Sequence, residues 1–94
     1  MEGDQSAEET PIIELPGLGD RSVVMLRDAG ITTIEQLRDL GPAFAFVAVR
    51  QRHRRVSLNL LWAMAAGLQG RHWTSLTRQE KDALRRELDD LLGT

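Results

Sequence analysis

Side chains that carry out chemistry are sparse in this 94-residue chain. It has no cysteine and no tyrosine, a single lysine at Lys81, and two histidines, His53 and His72, 19 positions apart. Without a thiol there is neither a disulfide framework nor a thiolate nucleophile. Neither histidine has a second donor at metal-ligand spacing. Ser22 and Ser57 sit where packing or helix capping accounts for them. The pair Asp89 and Asp90 reads as a solvated face, because a two-carboxylate mechanism needs an apolar cleft to separate the two pKa values. The inventory argues against an enzyme and calls for no metal and no cofactor.

Binding chemistry is better represented. In Leu15-Pro16-Gly17-Leu18-Gly19 two glycines one residue apart allow a tight hairpin. Its backbone N–H groups would stand above a helix N-terminus and could hold an anion. Gly17, Leu18, Gly19 and Arg21 are therefore candidates for contact with a phosphate or a partner, and a purely structural turn is the competing reading. Asp20 weakens the phosphate reading by placing a negative charge where the anion would lie. A second candidate is the basic run Arg50-Gln51-Arg52-His53-Arg54-Arg55. Arg50, Arg52, Arg54 and Arg55 could face phosphates or an acidic protein surface. They could equally be the solvated link between two apolar helices, in a chain where arginine outnumbers lysine eleven to one.

The elements that must position these groups are helices, because glycines and capping residues recur about every ten residues and no segment alternates like a strand. The first opens at Asp20 as N-cap and closes at Gly30, with Ser22, Met25, Leu26 and Ala29 inward. The second starts with Thr32 and Glu35 as a capping box, buries Ile34, Leu37 and Leu40, and closes at Gly41. Pro42 suits the first position of a third, whose body from Ala43 to Val49 is apolar on every side. The fourth, capped by Ser57 and stopped by Gly70, carries Leu58, Leu61, Trp62, Ala65 and Leu68, with Leu60 and Met64 on its other side, and should form the centre of the core. The last has Thr77 and Glu80 as a capping box, buries Leu84, Leu88 and Leu91, and ends at Gly93. Between these two, Trp73 should plug the gap between helix ends.

Net charge is −2, but five acids and no base precede Leu15, so the remainder carries a formal +3. Residues 1–10 read as a disordered acidic leader, too poor in apolar groups to offset their ordering entropy, and residues 11–94 as one helical domain. The leader has neither the basic nor the apolar stretch of a secretory signal, and no apolar run reaches the ~20 residues of a membrane span. Together with the missing cysteines this points to the cytoplasm.

Read together, several segments resemble the C-terminal domain of the TfoX (Sxy) competence regulators. They are Leu18-Gly19, Ser22, Met25-Leu26, Gly30-Ile31, Leu37-Arg38-Asp39-Leu40-Gly41, the string Val56-Ser57-Leu58-Asn59-Leu60-Leu61-Trp62-Ala63, and Gly70-Arg71-His72-Trp73. The resemblance runs from about Leu15 to Leu92. It implies an all-α bundle of about five short helices with a helix-hairpin-helix-like core, and a role in bacterial competence gene regulation through transcription. In that family the domain usually follows an N-terminal α/β domain, so this sequence reads as a freestanding version. Val23, Val24 and Phe44 stand where similar sequences tend to be polar, which suggests an apolar surface patch for a partner or a homodimer.

The expected function is thus a non-catalytic regulatory module that contacts a protein, either the transcription machinery or another regulator. Weak, sequence-independent DNA binding through the hairpin and the arginine run is the alternative. It is disfavoured by the net charge, by Asp20 and by the lack of aromatic and basic interleaving.

Overall fold

The computed structural model describes residues 9–93. It contains five α-helices: α1 Asp20–Asp28, α2 Ile34–Leu40, α3 Pro42–Arg52, α4 Leu58–Leu68 and α5 Arg78–Leu92. Single 3₁₀ turns lie at Ile12–Glu14 and Trp73–Ser75. Among the described residues there is no strand, and one isolated antiparallel bridge joins Pro11 to Thr33. The architecture is the small all-α bundle that the sequence implies. Among the described residues no helix is long and apolar enough to cross a membrane. The expected disordered leader falls largely on residues 1–8, outside the described residues. Thr10, assigned to that leader, is bonded to the body: its backbone N–H donates to Glu35 Oε1 at 2.8 Å, and its carbonyl accepts from Ile34 at 2.8 Å.

Local chemistry sets the helix ends. At α5 the Thr77 hydroxyl accepts from the Glu80 backbone N–H while the Glu80 carboxylate accepts from that of Thr77, which satisfies two donors that a helix start leaves unpaired. Ser57 caps α4 and Pro42 holds the first position of α3. Two expectations shift by one residue. The box at α2 is Thr33 with Gln36, not Thr32 with Glu35, and Glu35 is thereby released to hold Thr10. The N-cap of α1 is Gly19, so Asp20 is the first helical residue and its charge lies within the positive first turn. After α1, Ile31 N–H donates to Leu26 carbonyl and Gly30 N–H to Arg27 carbonyl, both at 2.9 Å, a Schellman closure that turns the buried Ile31 back onto the helix.

Helix α4 is the inside of the molecule, buried without a break from Leu60 to Gly67. Helix α3 packs against α1, α2, α4 and, most extensively, α5. The apolar stripes expected on the outer helices are narrower than their spacing suggests. On α2 Leu37 is fully buried but Leu40 is 41% exposed, and on α5 Leu88 is buried while Leu91 is 47% exposed. On α1 the buried pair is Val23 and Leu26, with Ser22, Met25 and Ala29 at the edge of the contact. Positions three apart on a helix share one face, so turning that face toward the core and α3 puts Val23 inside and leaves its neighbour outside.

The expected patch of Val23, Val24 and Phe44 is corrected accordingly. Val23 is 4% exposed and belongs to the core, whereas Val24 at 55% and Phe44 at 49% face outward.

Candidate functional site

The hairpin begins as a β-turn in which Leu18 N–H donates to the Leu15 carbonyl at 3.4 Å. Pro16 and Gly17 occupy its central positions, and Gly17 has φ +88°, the combination a type II turn requires. Leu15 is buried and Leu18 packs against the core. The turn lies directly on α4 at Gly67, where an added Cβ would stand 2.7 Å from the Pro16 carbonyl oxygen and 2.9 Å from Leu15 Cγ. Among the described residues the hairpin is preceded by the 3₁₀ turn Ile12–Glu14 and no α-helix, and that turn is anchored by the fully buried Ile12. As a nest for an anion the hairpin is compromised twice, because Leu18 N–H is engaged within the turn and Asp20 occupies the first turn of α1.

The tertiary structure does something with Arg21 that sequence reasoning missed. A groove of about 530 Å³ runs between α1 and the loop 53–57, with Arg21 on one wall and His53, Arg54 and Arg55 on the other. Met25 and Val56 supply its apolar lining. It adjoins a smaller hollow of about 240 Å³, with which it shares Ser22, Met25, Val56 and Ser57. Gly17 of the hairpin, Leu60, Ala63 and Trp73 help to line the smaller hollow. The hairpin candidate and half of the arginine run, 33 positions apart from Arg21 to Arg54, therefore meet on one surface.

The other half does not join them. Arg50 and Arg52 both lie in the last turn of α3, but two residues advance a helix by about 200°, so their side chains leave in nearly opposite directions. Arg50 lines a separate hollow with Val47, Gln51, Arg54 and Leu92, and Arg52 lines neither. No ion pair links Arg21, Arg54 or Arg55 to another described residue. His53 meets Asp28 of α1, Nε2 to Oδ2 at 3.1 Å, which joins the loop to the helix beside the groove.

Trp73 differs from the expected buried plug. It is half-buried, packed on the core on one side and open to the smaller hollow on the other, with its ring stacked on His72 at 5.9 Å between centroids. His72 Nδ1 in turn lies 2.8 Å from Thr74 Oγ1. The indole that is buried belongs to Trp62, over which the Lys81 ammonium sits at 5.5 Å from the ring centroid.

Arg71, in the same connector, is a structural clip. Its guanidinium donates in a fork to Glu80, at 2.7 Å and 2.9 Å, and also to the Ser75 carbonyl, the Ser75 hydroxyl and Gln69 Oε1. Bidentate pairing of this kind is geometrically demanding and ties the connector to the first turn of α5. The Arg71 fork and the Thr77 backbone N–H pull the Glu80 carboxyl down to a pKa of about 2. Glu35 is lowered as well, chiefly by the Thr10 backbone N–H. Among the described residues no group of three or more His, Cys, Asp or Glu side chains is placed to hold a metal ion.

Comparison with known proteins places this geometry in a family. The chain is similar to the DNA transformation protein TfoX of Haemophilus influenzae, 27% identical over 78 residues, which cover 83% of this chain and 36% of that protein. The chain thus spans about a third of the length of that relative. Its fold is similar to the crystal structure of an uncharacterized protein from Listeria monocytogenes in a triclinic form. There the TM-score is 0.77 and the identity 30%, covering 89% of this chain and 96% of that one. A protein of unknown function from the same organism in a tetragonal form gives a TM-score of 0.74 at 31% identity, over 83% and 95% of the respective chains. The model of the TfoX C-terminal domain matches residues 8–88, nearly the whole described length, and the chain belongs to that family.

Proposed function

We propose that this domain is a non-catalytic regulatory module that acts in the control of competence and DNA uptake by contacting a protein partner. Membership of the TfoX C-terminal domain family and the likeness to a DNA transformation protein support the link to DNA uptake. The observation that carries the contact reading is the groove between α1 and the loop 53–57. It combines an apolar lining of Met25 and Val56 with arginines that form no ion pair among the described residues. Protein-binding sites characteristically set an apolar, water-excluding centre within a polar rim rich in arginine.

The non-catalytic part is supported by what the two histidines do. His53 pairs with Asp28, His72 bonds Thr74 and stacks on Trp73, and the chain has no cysteine for either histidine to activate. The test is genetic and biochemical. Deleting the domain's coding sequence in a naturally transformable bacterium that carries it should reduce uptake of marked DNA without affecting growth, and the intact chain supplied in trans should restore it. Affinity capture with the tagged chain should retain a protein after nuclease treatment. Unchanged transformation in the deletion strain refutes the DNA-uptake role, and capture that disappears with nuclease refutes the protein contact.

A further inference from the structure

We propose that the groove between α1 and the loop 53–57, with its adjoining hollow, binds an acidic peptide segment that carries one bulky apolar anchor next to its carboxylates. The proposal rests on the protein-contact reading above and names the chemistry of that partner.

Three features of the surface point to it. Arg21, Arg54 and Arg55 converge on the larger groove from two separate elements and make no ion pair with any described residue. Arg71, by contrast, has its donors taken up by Glu80, Ser75 and Gln69. Guanidinium groups with unused forks match carboxylates in a bidentate geometry. Next, the groove continues into the smaller hollow, which Leu60, Ala63 and the open face of Trp73 line without any cation. Ser22, Ser57 and Asn59 border the same hollow, so a ligand that spans both regions would place its negative charge on the arginines and an apolar group against Leu60, Ala63 and Trp73. Finally, both regions have a tertiary contact behind them: the His53 contact to Asp28 joins the loop to α1 beside the larger groove, and the close approach to Gly67 seats the hairpin that contributes Gly17 to the smaller hollow. A preformed site binds a flexible segment with less ordering cost on its own side.

A nucleic-acid strand fits less well. Its charge repeats at every nucleotide, about 3.4 Å per step along each strand of a duplex, and needs cations along the whole track. Here the track runs from three arginines into a hollow that no cation lines.

A library of random peptides displayed on phage, selected against the full chain, tests the chemistry directly. Enriched peptides should carry an aspartate or glutamate cluster beside one leucine, methionine or aromatic residue. The best of them, synthesised with a fluorophore, should bind at least about tenfold more weakly to the Arg54→Glu/Arg55→Glu double variant. Both changed side chains are exposed, and circular dichroism checks that the fold is retained. Changing the peptide's acids to amides, or its apolar residue to serine, should each weaken binding by a similar factor. No enrichment, a basic or uncharged consensus, or affinity unaffected by the double variant overturns the proposal. So does a labelled oligothymidylate that binds more tightly than the peptide and is lost in the same variant, since the groove is then a nucleic-acid surface. Peptide binding in a protein whose deletion leaves transformation unchanged refutes the DNA-uptake reading alone. A transformation defect without peptide enrichment refutes the peptide chemistry alone.

Discussion

Substituting Gly67→Ala sets two well-known effects against each other and predicts which one prevails. Gly67 lies inside α4, and in an ordinary helix interior alanine is favoured over glycine by about 1 kcal/mol. Propensity alone would raise the melting temperature. At this position, however, the new Cβ would stand 2.7 Å from the Pro16 carbonyl oxygen, 2.9 Å from Leu15 Cγ and 3.1 Å from Leu15 Cδ2. The nearest obstacle is backbone, in a turn fixed by the buried Leu15, so it cannot swing aside as the end of a long side chain can. Overpacking of a well-filled core costs roughly 1–3 kcal/mol, and three tight contacts place this case in the upper part of that range. The expected balance is a loss of about 1–2 kcal/mol, the overpacking cost less the gain in propensity. For a domain this size that lowers the melting temperature by roughly 4–16 °C, measurable by thermal circular dichroism. Because the hairpin contributes Gly17 to the smaller hollow, peptide affinity should fall with it. A melting temperature above that of the wild type would refute the close packing of hairpin on α4.

Val23→Ala should cost ~1–2 kcal/mol by chemical denaturation because it removes buried apolar surface. Val24→Ala should stay within about 0.5 kcal/mol, and equal effects would contradict the facing of α1. Trp73→Ala, read from sequence as the plug between two helix ends, should cost ~2 kcal/mol rather than the roughly 3–5 kcal/mol of a buried ring, and it should weaken binding in the smaller hollow. Glu80, whose pKa is depressed to about 2 in the folded chain, contributes stability that is present above its unfolded value of 4.5 and lost as pH falls toward 2. Acid titration of the unfolding free energy should accordingly show a smaller decline for Glu80→Gln than for the wild type over that window, and superimposable profiles would remove Glu80 from the account. Analytical ultracentrifugation tests the expected homodimer: if the exposed Val24 and Phe44 form its interface, Val24→Glu should dissociate it, and a wild-type monomer at micromolar concentration rejects self-association.

Sequence alone determined the helices, because their signals are local. Pro42 at a helix start, Ser57 as a cap, and Thr77 with Glu80 as a capping box each act within three or four residues, so their types and spacing suffice. The apolar circumference of α4 likewise reveals that it is surrounded, and the Ser-Leu-Asn-Leu-Leu-Trp-Ala and Gly-Arg-His-Trp strings that suggested the family lie within the residues 8–88 that its model matches. Even the one-residue shift at α2 is local in kind: Thr32 and Thr33 are both competent caps, and the bond of Glu35 to Thr10 accompanies the choice.

What tertiary structure decided is which way each helix turns and what lies across from it. Val23 and Val24 are the same residue type side by side, and nothing within α1 says which faces the core. Arg71 finds Glu80 nine positions away through a connector whose path depends on how α4 and α5 pack, so the capping acid was legible but its second partner was not. The groove is the extreme case. Arg21 belongs to one end of α1, Arg54 and Arg55 to a loop beyond two further helices, and Trp73 to a connector beyond a fourth. Along the sequence the basic and aromatic groups look separated, because a surface is made by chain segments meeting in space, and hydrophobic burial, which is blind to the order of the segments, brings them together.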